Sequence, residues 1–302
     1  MKTMTREEFL AQRRTGVGGS DVAPIFGLST WSTPLDVYNE KLQLVPDKEE
    51  TDAMHFGNVL EDVVACEFTR RTGIRVQRRN SMFRHEKHPE LIANIDRYCV
   101  GEKAVLECKT RNAFAKDEWG ESGTDHVPFP YLCQVQHYQT VTGLKNAFLA
   151  VLIGGDDFRW YRLPYSERLA KALADKSREF WNDHVLKQIP PPPMTEADIK
   201  LVYGKGDLDP ITATDEMLRI HEAMVGMQAK TKIYQKELDE LKLSVKKFMG
   251  DHSVMLHPDG TPLVSWKPHT KEQFSAKALK EKQPTLYGEF STTVTQRTFL
   301  IK

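Results

Sequence analysis

The sequence is poor in cysteine and holds no pair of cysteines spaced for a metal. Only Cys66, Cys99, Cys108 and Cys133 occur among 302 residues, and no Cys-x-x-Cys appears. That disfavours a zinc or iron–sulfur site and leads to the expectation of a reducing, cytoplasmic setting. Long apolar runs are missing too. None approaches the roughly 20 residues of a membrane span, so no membrane partner is expected. The first residues, Met-Lys-Thr-Met-Thr-Arg-Glu-Glu, lack the apolar core of a signal peptide. Net charge is also absent, since 42 basic residues balance 42 acidic ones. This argues against broad, non-specific adhesion to nucleic acid, while leaving room for a local basic patch.

What the chain does hold is a short alternating stretch, Val105-Leu106-Glu107-Cys108-Lys109-Thr110. Its period of two predicts a strand, with Val105, Glu107 and Lys109 on one face and Ala104, Leu106 and Cys108 on the other. Upstream lies a second apolar run from Leu91 to Tyr98, with Gly101 between the two. If Gly101-Glu102 is a two-residue hairpin loop, paired positions sum to 203 and Asp96 stands opposite Glu107. Opposed side chains share a face, with Cβ atoms about 4.5–5.5 Å apart. Asp96, Glu107 and Lys109 then converge, and two carboxylates that close repel unless a cation lies between them. Taken alone, the same residues also describe a solvated hairpin with a cross-strand ion pair.

The rest of the chain frames this stretch. Residues 5–14 read as a helix with a Thr5/Glu8 capping box. Next comes a glycine-rich turn, Arg13-Arg14-Thr15-Gly16-Val17-Gly18-Gly19-Ser20-Asp21, opening a helix at Ser20 or Asp21. Backbone N–H groups at such a turn form an anion site, to which Arg13 or Arg14 would add charge. No Gly-Lys-Ser/Thr follows, so it is not a Walker A loop. Helices are expected over 34–41 and 55–72, the second with an apolar face of Phe56, Leu60, Val63, Val64 and Phe68 and with Glu61 at its rim. Residues 75–80 form a basic, strand-like patch. A polar loop over 111–130 leads to a helix over 131–142 carrying Gln134, then to a hairpin of 147–153 with 158–163 and a long helix over 165–188. Four prolines, Pro190 to Pro193, act as a stiff spacer. They separate a core of residues 1–190 from an extension of 191–302. The extension reads as a short acidic–apolar stretch, a charged helix near 213–249, a hairpin turning at Asp259-Gly260, a short helix near 275–282 and a last strand near 293–301.

Taken in order, Arg-x-Gly-x-x-x-Ser-Asp, Gly-Asn-x-Leu-Glu, the aspartate, Glu-x-Lys and Gln-Val-Gln-His-Tyr resemble the YqaJ-type viral recombinases. These stand with the phage lambda exonuclease among the PD-(D/E)xK nucleases. The match runs over roughly residues 9–190. It implies an α/β (α+β) fold with a restriction-endonuclease-like core, a central mixed sheet flanked by helices, followed by a helical extension with a small β element.

The activity implied is a 5′-to-3′ exonuclease on linear double-stranded DNA, exposing 3′ overhangs for recombination by single-strand annealing. It would need two Mg2+ ions, with Mn2+ as a substitute. By the same resemblance Asp96, Glu107 and the carbonyl of Cys108 would bind metal, Glu61 would complete a second ion's site, and Lys109, pushed toward its neutral form beside the ions, would deprotonate the attacking water. Ser20, Arg13 or Arg14, Asn94 and Gln134 would line a pocket for the terminal 5′-phosphate, and Arg111 or Lys116 would touch a phosphate. The family's usual proline before the aspartate is Ile95 here. Partners implied are double-stranded DNA ends, two further copies in a homotrimeric ring, a single-strand annealing protein and a single-strand DNA-binding protein. Arg70, Arg71, Arg75, Arg78 and Arg79 are candidates for the lining of the ring's channel. Two other readings are an endonuclease of the same fold and a catalytically idle protein that binds DNA ends.

Overall fold

A computed structural model describes residues 5–79, 81–204, 209–293 and 297–302. The chain divides into two compact units, Met1–Val202 and Tyr203–Lys302.

The first unit begins with four helices: α1 (Arg6–Arg13), α2 (Gly19–Ile25), α3 (Pro34–Lys41) and α4 (Asp52–Thr72). Local chemistry explains their ends. Thr5 accepts from the Glu8 N–H while Glu8 accepts from the Thr5 N–H, closing the capping box that starts α1. Thr33 and Asp36 repeat the device at α3, where Pro34 fills the first helical position. Gly73, at φ 74°, ends α4 in the left-handed conformation that a Cβ would oppose.

Strands β1 (Val76–Arg78), β2 (Phe83–Arg84), β3 (Ile92–Ala93), β4 (Arg97–Cys99) and β5 (Ala104–Arg111) follow, then α5 (Phe129–Thr142), β6 (Asn146–Ile153), β7 (Asp157–Pro164) and α6 (Glu167–Phe180). The main sheet runs β1-β4-β5-β6-β7. Only β5 and β6 are parallel, joined by the long crossover that carries α5, so the sheet is mixed. Both faces of β5 are covered. Val105 joins a cluster with Val22 of α2 and Val135 of α5, whereas Ala104, Leu106 and Cys108 join one with Val64 and Phe68 of α4. The alternation read from the sequence therefore separates two buried layers, one on each side of the strand.

Several expectations need correction. The run from Leu91 to Tyr98 is two strands, β3 and β4, interrupted at Asn94-Ile95-Asp96. The β4–β5 register does sum to 203, with Arg97 opposite Leu106, but the link is the four residues Val100–Lys103. In α4, Phe56 and Val63 are 57% and 52% exposed; the buried face is Val64, Ala65 and Phe68. That face is rotated toward Glu61, away from the expected centre. The helix expected over 165–188 is α6 followed by a π-helical turn, Trp181–Val185. The loop over 111–130 contains a 3-10 turn, Ala113–Glu118.

The division between units falls after Val202, so the prolines at 190–193 lie inside the first unit. Helix α7 (Glu196–Tyr203) explains this. Its buried Asp198 accepts from the Thr33 hydroxyl at 3.1 Å and caps the Met194 and Thr195 N–H groups, fixing the segment to the start of α3.

The second unit holds α8 (Asp215–Met249), the hairpin β8 (Val254–Leu256) and β9 (Pro262–Ser265), α9 (Ala276–Lys282) and α10 (Pro284–Glu289). The hairpin turns at Asp259-Gly260, with Asp259 accepting from the Thr261 N–H. No strand forms in residues 291–293 or 297–302, contrary to expectation; 294–296 lie outside the described residues. Among the described residues no helix is long and apolar enough to cross a membrane.

Candidate active site

Glu107 lies near the middle of β5, 2% exposed, on the face covered by α5. Its Oε1 accepts from Gln134 Nε2 at 2.7 Å and pairs with Lys109 Nζ. Its Oε2 is buried with no hydrogen-bond partner among the described residues. Asp96, just before β4, accepts the Cys108 N–H on Oδ2 at 2.8 Å. That bond ties the break between β3 and β4 to β5, so the interruption is a built feature that turns the aspartate toward Glu107. Burial, then the charge of Glu107, push the Asp96 carboxyl well above its usual range, against the pull of Lys109. Burial alone would lower the Lys109 pKa, but Glu107 and Asp96 outweigh it, and the ammonium is held more tightly than usual. From the protein groups alone, then, Lys109 is driven away from the neutral form expected of it.

Glu107 and the half-buried Asp96 share a single ammonium, and one oxygen of the buried Glu107 lacks any donor. Such an arrangement costs free energy unless a further cation is bound. Asp96, Glu107 and the adjacent Cys108 carbonyl are all oxygen donors, a set that suits a hard divalent ion such as Mg2+, which keeps several of its own waters. Among the described residues, however, no three His, Cys, Asp or Glu side chains gather closely enough to hold an ion by themselves. Glu61 is engaged elsewhere. It pairs with the buried Arg97 and, at 3.2 Å, with Arg78. Arg97 also pairs with Asp62 and donates to the Asp96 carbonyl, fastening α4 to β4. Glu61 is near enough to Asp96 to raise its pKa further, but its own charge is already compensated.

The glycine-rich turn separates the two arginines. Arg13 Nη2 donates to Ser20 Oγ at 3.0 Å and to Asp21 Oδ1 at 2.9 Å, whereas Arg14 turns away to Asp47. The turn also carries its own anion. Buried Asp21 accepts the Gly18 N–H at 2.8 Å and pairs with buried Lys41 at 2.5 Å. The expected backbone anion site is thus filled by a side chain. Desolvation would raise the Asp21 pKa, but Lys41, Arg13 and the Gly18 N–H together hold it down at about 2.

Gly19 brings this turn to the site: a Cβ there would stand 2.4 Å from the Tyr138 ring and 3.1 Å from Gln134 Cγ. Gln134 in turn donates to the Tyr138 hydroxyl at 2.8 Å. Asn94 is half-buried in the β3–β4 break. Arg111 lies 3.8 Å from Glu118, and Lys116 pairs with Asp157 at 3.1 Å.

The structure therefore brings Asp96, Glu107, Lys109 and Gln134 together, places Arg13 with Ser20 beyond Gly19, and leaves Arg14 outside. Sequence reasoning missed Asp21, Lys41, Arg97 and Tyr138. Asp21 and Tyr138 stood within the quoted motifs, while Lys41 and Arg97 carried no local signal. The remaining polar residues of Gln-Val-Gln-His-Tyr are structural. Gln136 donates to the Pro164 carbonyl at 2.7 Å, and His137 contacts the Ile92 carbonyl at 2.9 Å through Nε2.

Comparison with known proteins identifies the family. The family described as YqaJ-like viral recombinase domain matches residues 8–145, which span the glycine-rich turn, β5 and α5. The uncharacterized protein YqaJ of Bacillus subtilis (strain 168) is 34% identical over 315 residues, covering 99% of this chain and 95% of that protein. Among solved structures, an alkaline exonuclease from Laribacter hongkongensis is 18% identical with a TM-score of 0.49, over 61% of this chain and 94% of its own. A phage-related exonuclease from Haemophilus somnus 129PT is 11% identical with a TM-score of 0.42, over 60% of this chain and 99% of its own. On the family match and the near full-length relative, the chain belongs to the YqaJ-like viral recombinase domain family.

Proposed function

We propose that the first unit is a Mg2+-dependent exonuclease that degrades one strand of linear double-stranded DNA from its 5′ end. The observation that carries this reading is the buried Glu107 with its unpaired Oε2, set beside Asp96 and Lys109. Asp96, Glu107 and the Cys108 carbonyl would hold the ion. When bound, Mg2+ supplies Lewis-acid stabilisation of the charge that develops on the phosphoryl oxygens. Lys109, held in place by Glu107, would orient the attacking water, and would take its proton only once a bound ion offsets the two carboxylates that keep its ammonium charged. Gln134 fixes the rotamer of Glu107. Arg13 and Ser20 would grip the terminal 5′-phosphate, and because each cleavage regenerates that group, their grip would set the direction of travel. Asn94, in the same break as Asp96, and Arg111 are assigned to the same DNA path. Glu61 joins the site only if DNA or a second ion displaces Arg97 from it.

A ring of three copies would retain the duplex without a net positive charge, and membership of a viral recombinase family suits a product handed to a single-strand annealing protein and a single-strand DNA-binding protein. The test is a time course on end-labelled linear duplex, with and without chelator, beside a closed circular control. Mononucleotide release from 5′ ends, abolished by chelator, is the expected result. Cutting of the circle would instead mark an endonuclease, and end binding without release in Mg2+ an idle scaffold.

A further inference from the structure

Helix α8 is 35 residues long and most of its large apolar side chains follow a heptad, with Leu218, Val225, Ile233 and Leu243 outside it. Met217, Met224, Thr231, Leu238 and Val245 occupy one seam position. Ile220, Met227, Tyr234, Leu241 and Phe248 occupy the other, three residues on in each heptad. This 3–4 spacing makes a narrow stripe, the form of a coiled-coil seam, whereas a helix packed on a globular core shows a broader face. One side of the stripe is uncovered, whereas Met224 and Val245 on the other are half-buried. Met227, Tyr234, Leu241 and Phe248 are 69%, 66%, 65% and 81% exposed. At about 1.5 Å per residue the helix presents a seam about 52 Å long. The 35 residues hold five heptads, beyond the roughly three to four that mark a coiled coil.

We propose that α8 is an assembly helix that packs, parallel and in register, against α8 of a second copy of this chain, one of the three in the proposed ring. The flanking charges favour a copy over a foreign helix. A seam flanked by one sign of charge would need a partner of the opposite sign; this seam is mixed. In the parallel pairing Glu237 meets Lys242 of the second copy, and Lys230 meets the neutral Gln235, so no like charges are opposed. An antiparallel pairing would also join Lys230 to Glu237, so the flanking charges are matched in either direction and the seam itself selects between them. Only in the parallel pairing does Thr231 meet itself, where its hydroxyl can pair with its equivalent and fix the register. The inference does not depend on nuclease activity.

The full chain carrying Cys66→Ser, which removes the exposed thiol, and Leu241→Cys tests it. Mild oxidation should give a covalent species of twice the chain mass. Adding Met227→Glu and Leu238→Glu should lower its yield at least tenfold at the same protein concentration. Both glutamates favour the helix itself, and unchanged circular dichroism would show that it persists. No cross-link from a folded chain, or a yield indifferent to the two glutamates, overturns the proposal. So does a wild-type chain that sediments as a monomer at every concentration.

Discussion

Gln134 of α5 donates one hydrogen bond to Glu107 and another to the Tyr138 hydroxyl, at 2.7 and 2.8 Å. The buried carboxylate on β5 is therefore aimed from the neighbouring helix. Removing the amide should leave Glu107 free to swing toward Lys109. Gln134→Ala is expected to slow nucleotide release about 10- to 100-fold, the usual cost of losing a group that orients a ligand. Its cost in stability should be only about 1 kcal/mol. Initial rates on linear duplex, set beside urea unfolding, check the two numbers together. A loss of rate matched by a large loss of stability would reduce Gln134 to a packing residue.

Glu107 itself should show an opposed effect on activity and on stability. Replacing it with glutamine removes a buried charge whose second oxygen has no donor and relieves the neighbouring Asp96. In chelator, Glu107→Gln should melt at or above the wild-type temperature. Added Mg2+ should raise the wild-type Tm, by about 2.7 kcal/mol of stability at a hundredfold excess over Kd, and leave the variant where it was. Differential scanning fluorimetry across a Mg2+ titration reads this without DNA. Equal shifts in both chains would place the ion elsewhere.

How much of this could be read in advance depended on sequence distance. The face assignment and register of β5 were legible because alternation and a short hairpin are local, and the observed link Val100–Lys103 is centred on the expected Gly101-Glu102, which keeps the β4–β5 sum. The break at Asn94-Ile95-Asp96 was not, because an apolar run carries no mark of where the Cys108 N–H will bind. The burial of α4 was misread by a fraction of a turn. Phe56 and Val63 are apolar, but the sheet is met by Val64, Ala65 and Phe68, and so Glu61 reaches Arg97. Lys41 illustrates the limit: it lies twenty residues from Asp21, and only the fold of α2 on α3 makes them a buried pair.

That pair gives the acid response. Asp21 titrates near 3.8 when unfolded and at about 2 when folded. A depressed carboxylate stabilises the fold above its unfolded pKa, and this contribution is lost as pH falls from about 4 through about 2. The shift corresponds to about 2 kcal/mol. Asp21→Asn should cost about 3 kcal/mol near pH 7, since it strands Lys41 in the interior. The gap between variant and wild type should narrow by about 2 kcal/mol between pH 5 and pH 2.5. Urea unfolding of both chains at several pH values supplies the comparison, and a constant gap would mean that Asp21 is not the group titrating.

The two arginines of the glycine-rich turn make the sharpest contrast, since adjacent residues are assigned unlike roles. Arg13 is fixed against Ser20 and Asp21, on the side of the turn that Gly19 presses toward Gln134 and Tyr138. Arg14 reaches Asp47 at the opposite edge. A terminal phosphate bound beside Ser20 would gain charge-assisted hydrogen bonds from Arg13 only. Arg13→Gln should therefore abolish most of the preference for 5′-phosphorylated over 5′-hydroxyl duplex, with a rate loss of at least tenfold on the phosphorylated end. Arg14→Gln should stay within about twofold of wild type on both, because a surface ion pair contributes roughly 0–1 kcal/mol. Arg13→Gln also removes one partner of Asp21, so its thermal stability has to be measured beside its rate. Ser20→Ala, which leaves the Asp21 pairs intact, should reproduce the loss of end preference without the loss of stability. If Arg14→Gln proved the more damaging change for phosphorylated ends, the pocket would lie on the Asp47 side of the turn.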